Sequence, residues 1–238
     1  MPHDPSDNTP GKDPGEATIA HRVHDLKNLL TIMAGCVDAL APQLTETPAL
    51  ADLADLQRAL SRAFLLATDL LGSDAALINE RPAIDLNHAI VDVEGMLRRM
   101  LGPVRLTLRL AAKAPFVYAH PLDIERILFN LVLNARDAMG DKGALTIETT
   151  LMMAEGQPGD GAARSRRVVR LSVSDTGPGI APGVRTTSVN PMVAARHRGR
   201  GFGLGSVHET VQRLDGRLDI DSVQGIGTRI VIDIPLAG

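Results

Sequence analysis

Residues 124–139, IERILFNLVLNARDAM, decide how the rest of the chain is read. Ile124, Ile127, Leu128, Leu131, Leu133 and Met139 supply an apolar majority, with Glu125, Asn130, Asn134, Arg136 and Asp137 set among them, and this predicts a helix lying against a core. Asn130 and Asn134 are four apart, so their amides stack on one face. Amides on so apolar a helix need partners, because burying one unpaired costs roughly 1–3 kcal/mol. For an isolated helix, an internal hydrogen-bond pair would meet that need.

Three glycine clusters follow in order: Asp175-Thr176-Gly177-Pro178-Gly179, Gly201-Phe202-Gly203-Leu204-Gly205 and Gly225-Ile226-Gly227-Thr228. Together with the helix they read as the walls of a nucleotide pocket. Asp175 follows an apolar strand, where its carboxylate can accept from an exocyclic amine such as that of adenine while Gly177 and Gly179 let the backbone approach the ring. On its own the same string also suits a plain strand-to-turn junction. Gly201, Gly203 and Gly205 precede a helix, whose free N–H groups and positive end suit phosphate oxygens. They lack the preceding strand of a dinucleotide fingerprint and the lysine of a P-loop, so a different phosphate-binding architecture is expected. Asn134 is the candidate magnesium ligand through its side-chain oxygen, and Asn130 a second contact near the phosphates. The stretch 181–200, with Arg185, Arg196, Arg198 and Arg200, reads either as a lid over a triphosphate or as a surface loop.

The flanking pattern predicts an α+β domain. Helices over 86–101, 121–139 and 203–214 alternate with pairs of strands at 104–110 and 116–118, 145–153 and 168–174, and 216–223 and 227–234, which fits helices layered on one side of a mixed sheet. Arg164, Arg166 and Arg167 belong to a glycine-rich, charged turn between two of these strands. Residues 72–83 lose periodicity and read as a linker.

Upstream, Ile19, Val23, Leu26, Leu30, Met33, Val37, Leu40 and Leu44 alternate at spacings of four and three, the seam of a bundled helix. Leu53, Leu56, Leu60, Ala63, Ala67 and Leu70 form a second seam after a short break, giving an antiparallel hairpin. A lone hairpin covers only one side of each helix, so two copies are expected to pair into a four-helix bundle. On the first helix lies His24-Asp25-Leu26-Lys27-Asn28; His24 flanks the seam residue Val23 and is expected to project into solvent. A neutral imidazole there is a competent nucleophile toward phosphorus, Asp25 can orient or deprotonate it, and Asn28 lies one turn away. His21 and His24 could pair on zinc, but no third ligand is indicated.

Composition narrows the classes. Aromatics are 2% of the 238 residues with no Trp, and the net charge is −3, which argues against stacking on single strands and against a basic nucleic-acid footprint. The single cysteine, Cys36, excludes a disulfide framework within the chain. No run approaches a membrane span, and residues 1–16 read as a disordered polar tail, so a cytoplasmic location without a membrane span is expected.

From about residue 17 onward the chain resembles the transmitter module of sensor histidine kinases. HDLKNLLTI at 24–32 is similar to the phosphoacceptor box of hybrid kinases, NLVLNARDAM at 130–139 to the N box, and DTGPG, GFGLG and GIGT to the three glycine boxes. Gyrase-, Hsp90- and MutL-like ATPases share the nucleotide boxes but not a preceding histidine-bearing hairpin. The resemblance implies a tail at 1–16, an all-α dimerisation and phosphotransfer hairpin at 17–73 that forms a four-helix bundle as a dimer, a linker at 74–83, and an α+β sandwich ATPase domain of the Bergerat type at 84–238. It implies ATP and Mg²⁺ as cofactors, His24 as phosphoacceptor with Asp25 and Asn28 beside it, and Asn134 on the metal. Asn130, Asp137, Asp175, Gly177, Gly179, Gly201, Gly203, Leu204, Gly205 and Thr228 complete the implied nucleotide contacts. The implied partners are a second copy, the receiver domain of a response regulator, and an upstream hybrid kinase.

The chain departs from the family pattern at three places. RTTSVNPMVAARHRG at 185–199 has no aromatic residue where the family carries a phenylalanine-rich box, Phe202 stands where threonine is common, and His120 where aspartate is common. Two readings follow: an autokinase, or a dimeric histidine phosphotransferase relaying phosphoryl groups between receiver domains beside an idle ATPase domain.

Overall fold

A computed structural model describes residues 81–140, 142–154, 166–180 and 202–238, together with scattered positions from 26 to 67. The expected helix of 124–139 begins a little earlier, at Pro121. His120 caps it through Nδ1, which accepts from the Leu122 amide at 3.3 Å, and Asp123 accepts from the His120 amide at 3.4 Å. Proline is tolerated at this first position because its missing N–H had no intrahelical partner to lose.

In chain order the domain runs β1 (Ala83–Asp85), α1 (Leu86–Leu101), β2 (Arg105–Arg109), β3 (Phe116–Tyr118), α2 (Pro121–Met139), β4 (Ala144–Ala154), β5 (Arg166–Asp175), α3 (Phe202–Arg213), β6 (Arg217–Val223) and β7 (Gly227–Pro235). Five strands form one sheet in the order β2-β4-β5-β7-β6, with β2 parallel to β4 and the other neighbours antiparallel. The mixed sheet with layered helices is thus the architecture expected from the sequence. Two features differ from the sequence reading. Strand β1 pairs antiparallel with β3, so regular structure begins at Ala83, inside the stretch read as linker. Strand β5 begins at Arg166, so Arg166 and Arg167 are exposed strand residues rather than turn residues.

Alternation sorts the sheet into two faces. Leu145, Ile147, Val169, Leu171, Val173, Ile232 and Ile234 are buried in one hydrophobic cluster with the helices. On the opposite face Arg170 donates from Nε and Nη2 to the two oxygens of Asp233 at 2.7 and 2.8 Å. The hydrogen bonds to Asp233 hold the Arg170 guanidinium above its ordinary pKa.

Helix α2 is the centre of the packing. Ile124, Ile127, Leu128, Phe129, Leu131 and Val132 have at most 1% of their surface exposed, each such side chain contributing on the order of 1.5–3 kcal/mol. Because neighbours surround the helix, its polar residues are also enclosed and find partners on them. Arg136 donates to the Met100 carbonyl near the end of α1 at 2.7 Å, Arg213 of α3 pairs with Asp123 at 2.8 Å, and Arg126 donates to the Ser206 hydroxyl of α3 at 2.7 Å.

The described positions from 26 to 67 are helical. Their seam divides: Leu30 and Val37 are buried with Leu53, Leu60 and Ala67, whereas Leu26, Met33, Leu40 and Leu56 are 42–49% exposed. On the first helix the seam splits into two stripes offset by three or four residues and each repeating every seven, one inward and one outward, as a hairpin that covers one side of each helix requires. His24, Asp25 and Asn28 lie outside the described residues, as do Gly201 and the stretch 181–200. Among the described residues no helix is long and apolar enough to cross a membrane.

Candidate functional site

The carboxyl end of β5 and the start of β7 meet at Asp175. In the β5–β7 register Asp175 stands opposite Thr228. Its Oδ1 accepts from the Gly177 amide at 2.8 Å and from the Thr228 amide at 3.2 Å. Two backbone donors on one oxygen fix the carboxylate's rotamer without spending a side chain on it.

Glycine is required here for close approach. Gly227, at φ +150°, leaves no room for a Cβ because it would meet the Asp175 carbonyl oxygen. Gly179, at φ +68°, packs likewise on the Val223 carbonyl, and the Gly225 amide donates to the Pro178 carbonyl at 2.9 Å. The first and third glycine clusters are therefore one locked unit. Ser222 ties it further: its hydroxyl accepts from the Ile180 amide at 2.9 Å and lies 3.0 Å from Thr228 Oγ1. Sequence reading missed Ser222, whose only signal is a small hydroxyl one residue before the end of an alternating strand.

Beside this unit opens a solvent-connected cleft. Asn134, Asp175, Leu204 and Thr228 share its lining with apolar residues that include Leu131 and Ile180. Asn134 reaches it from α2, and its buried Nδ2 has no hydrogen-bond partner. An asparagine and a fixed carboxylate lining one cleft suit a ligand that brings its own oxygens. Among the described residues no three His, Cys, Asp or Glu side chains are grouped to hold a metal, so a cation here would need oxygens from that ligand as well as from Asn134.

Two expected contact residues lie away from the cleft lining. Asn130 is 2% exposed, and its Nδ2 donates to the Arg126 carbonyl on its own helix at 2.9 Å, away from the cleft lining. Asp137 is exposed on the last turn of α2 and is not among the lining residues. Gly203 and Gly205 lie within the first turn of α3, which begins at Phe202, one residue before the expected start of that helix. That position suits the phosphate chemistry expected of them, because the first N–H groups of a helix have no intrahelical acceptor. A Cβ on Gly205 would meet no described residue within 4 Å.

Residues 119–238 match the family model of the histidine kinase-, DNA gyrase B- and HSP90-like ATPases. The chain belongs to that family. The ATPase-family match begins at Ala119, so β1, α1, β2 and β3 precede it. The chain is similar to the sensor kinase CckA of Brucella abortus (strain 2308), at 28% identity over 222 residues, which cover 89% of this chain and 23% of that one. It is also similar to the sensory histidine kinase/phosphatase NtrB of Proteus hauseri, at 29% identity over 222 residues, covering 90% of this chain and 60% of the relative. It spans less than two thirds of the length of either. Full-length ShkA, solved in complex with AMPPNP, shares the fold with a TM-score of 0.50 at 19% identity, over 93% of this chain and 46% of that one.

Proposed function

We propose that the chain is a two-component transmitter: its ATPase domain binds Mg²⁺-ATP in the cleft, and the γ-phosphoryl passes to His24 and then to an aspartate of a receiver domain. The observation that carries this is the pairing, in one cleft of an ATPase-family domain, of the amide-locked Asp175 carboxylate with the unpartnered amide of Asn134. Asp175 would read the adenine amine through Oδ2, with Oδ1 held by the Gly177 and Thr228 amides. The first turn of α3, with Gly203, Leu204 and Gly205, would receive phosphate oxygens on its N–H groups. Asn134 would ligate Mg²⁺, which when bound neutralises charge on the phosphates. His24 would attack the γ-phosphorus in line; the new N–P bond forms as the bond to the β-γ bridging oxygen breaks, ADP leaves with that electron pair, and Asp25 takes or orients the imidazole proton. Asn28 would assist hydrolysis. The remaining contacts assigned to Asn130, Asp137, Gly177, Gly179, Gly201 and Thr228, and the boundaries at residues 16, 73 and 83, belong to the same proposal.

The outward stripe of Leu26, Met33 and Leu40 at heptad spacing, with Leu56 on the second helix, supports a homodimer, since such exposed apolar side chains are covered when two hairpins form a four-helix bundle. The receiver domain would meet the phosphorylated hairpin. A second reading is favoured by the aromatic-free stretch 185–199: a dimeric phosphotransferase fed by a hybrid kinase rather than by ATP.

Incubation with γ-labelled ATP separates these readings. Acid-labile label on a protein of dimer mass by light scattering, lost in His24→Ala, is expected for the kinase. Label acquired only from a phosphorylated receiver domain would replace it with the relay, and no label from either donor would overturn both.

A further inference from the structure

Met139, the last residue of α2 and five positions beyond Asn134, makes contacts that the nucleotide reading does not use. Its thioether lies under the first glycine cluster. A Cβ built on Gly177 would sit 3.3 Å from Met139 Cγ and 2.8 Å from Asp175 Oδ1, so Gly177 is wedged between the methionine and the carboxylate it donates to. On the other side, a Cβ on Gly143 would sit 2.6 Å from Met139 Sδ. The Thr176 hydroxyl donates to Met139 Sδ at 3.8 Å while accepting from the Ala144 amide at 3.0 Å. One flexible side chain thus fills the space between two glycines and sets the hydroxyl rotamer of the residue between Asp175 and Gly177.

We infer that Met139 is a positioning residue for base recognition: it presses Gly177 toward Asp175 so that the glycine amide stays on Oδ1. The inference rests on the proposal that Asp175 reads an exocyclic amine. Methionine acts here through volume and a weak sulfur acceptor, and leucine conserves the volume while alanine removes it. Relaxation of residues 176–177 in the alanine variant would cost Asp175 Oδ1 the Gly177 amide. Selectivity for an amine-bearing base would fall, while contacts to ribose and phosphates would remain.

The test is calorimetric titration of the full chain with ADP and with inosine diphosphate, which carries an oxygen in place of the amine. In wild type, ADP is expected to bind more tightly. In Met139→Ala the ADP affinity should drop about tenfold with inosine diphosphate changed by less than about twofold, and Met139→Leu should recover most of the difference. In an Asp175→Asn background Met139→Ala should have no further effect on the ratio, as expected for residues acting through one contact. Met139→Val, which cannot reach under Gly177, carries the same expectations if the alanine variant does not fold. Equal losses for both nucleotides would reduce Met139 to general packing, and an unchanged ratio would overturn the inference while leaving the nucleotide site intact. A wild-type chain that binds neither nucleotide, or both equally, would instead overturn the reading of Asp175 and this inference with it.

Discussion

The two ends of the cleft are built differently. At the Asp175 end every element is locked: two amides on one carboxylate oxygen, glycines pressed onto carbonyls of neighbouring segments, and the Ser222 hydroxyl between the first and third glycine clusters. At the Asn134 end a buried amide nitrogen has no partner and, among the described residues, none lies within 4 Å of where a Cβ on Gly205 would sit. One end is complete without a ligand and the other needs one. Preorganised recognition at the base, with a phosphate end finished by the substrate's own oxygens, lets binding fix the nucleoside first and leaves the terminal phosphoryl accessible to a mobile acceptor.

Substitutions at the locked end test whether that rigidity is real. Gly227→Ala should have the largest effect, a loss of about 3 kcal/mol or more in stability by denaturant unfolding, because its φ of +150° disfavours a side chain and its Cβ would collide with the Asp175 carbonyl. Near-wild-type unfolding would show that the β6–β7 turn yields easily and that the contrast is overstated. Asp175→Asn should keep Oδ1 as an acceptor but place a donor where the amine is read. ATP affinity is then expected to fall by about 2 kcal/mol in competition binding, with discrimination against GTP lost. Unchanged discrimination would move base recognition elsewhere. Ser222→Ala should cost only about 1 kcal/mol in unfolding free energy, since the Ile180 amide and Thr228 hydroxyl lose one partner at a part-buried site. An effect on ATP affinity as large as that of Asp175→Asn would give Ser222 a direct role in binding.

Much of the domain was legible because periodicity reports which face of an element is covered. The alternation of β4, β5 and β7 and the apolar majority of α2 led to the right elements, with boundaries shifted by a residue or two. Periodicity does not report what does the covering. Ala83–Asp85 is too short to show a period, and its pairing with Phe116–Tyr118 depends on a partner more than thirty residues away. The bridges from Arg213 to Asp123 and from Arg126 to Ser206 join residues eighty or more apart, so these side chains read as ordinary surface charge until α2 and α3 are adjacent. Asn130 and Asn134 are indistinguishable by spacing, yet one bonds back to its own helix while the other lines the cleft with its buried Nδ2 unpartnered. The hairpin seam read as one stripe because a 3-4 repeat looks alike whether its alternate positions face a partner helix of the same chain or of another.

The open end is tested most directly by titrating ADP into the wild-type chain and into Asn134→Ala, each with and without Mg²⁺. Wild type should bind more tightly in the presence of the metal, by roughly tenfold or more, and Asn134→Ala should lose that increment while keeping the metal-free affinity set at the Asp175 end. A metal increment that survives Asn134→Ala undiminished, or an equal loss of affinity with and without Mg²⁺, would contradict the division of the cleft into a finished end and an unfinished one.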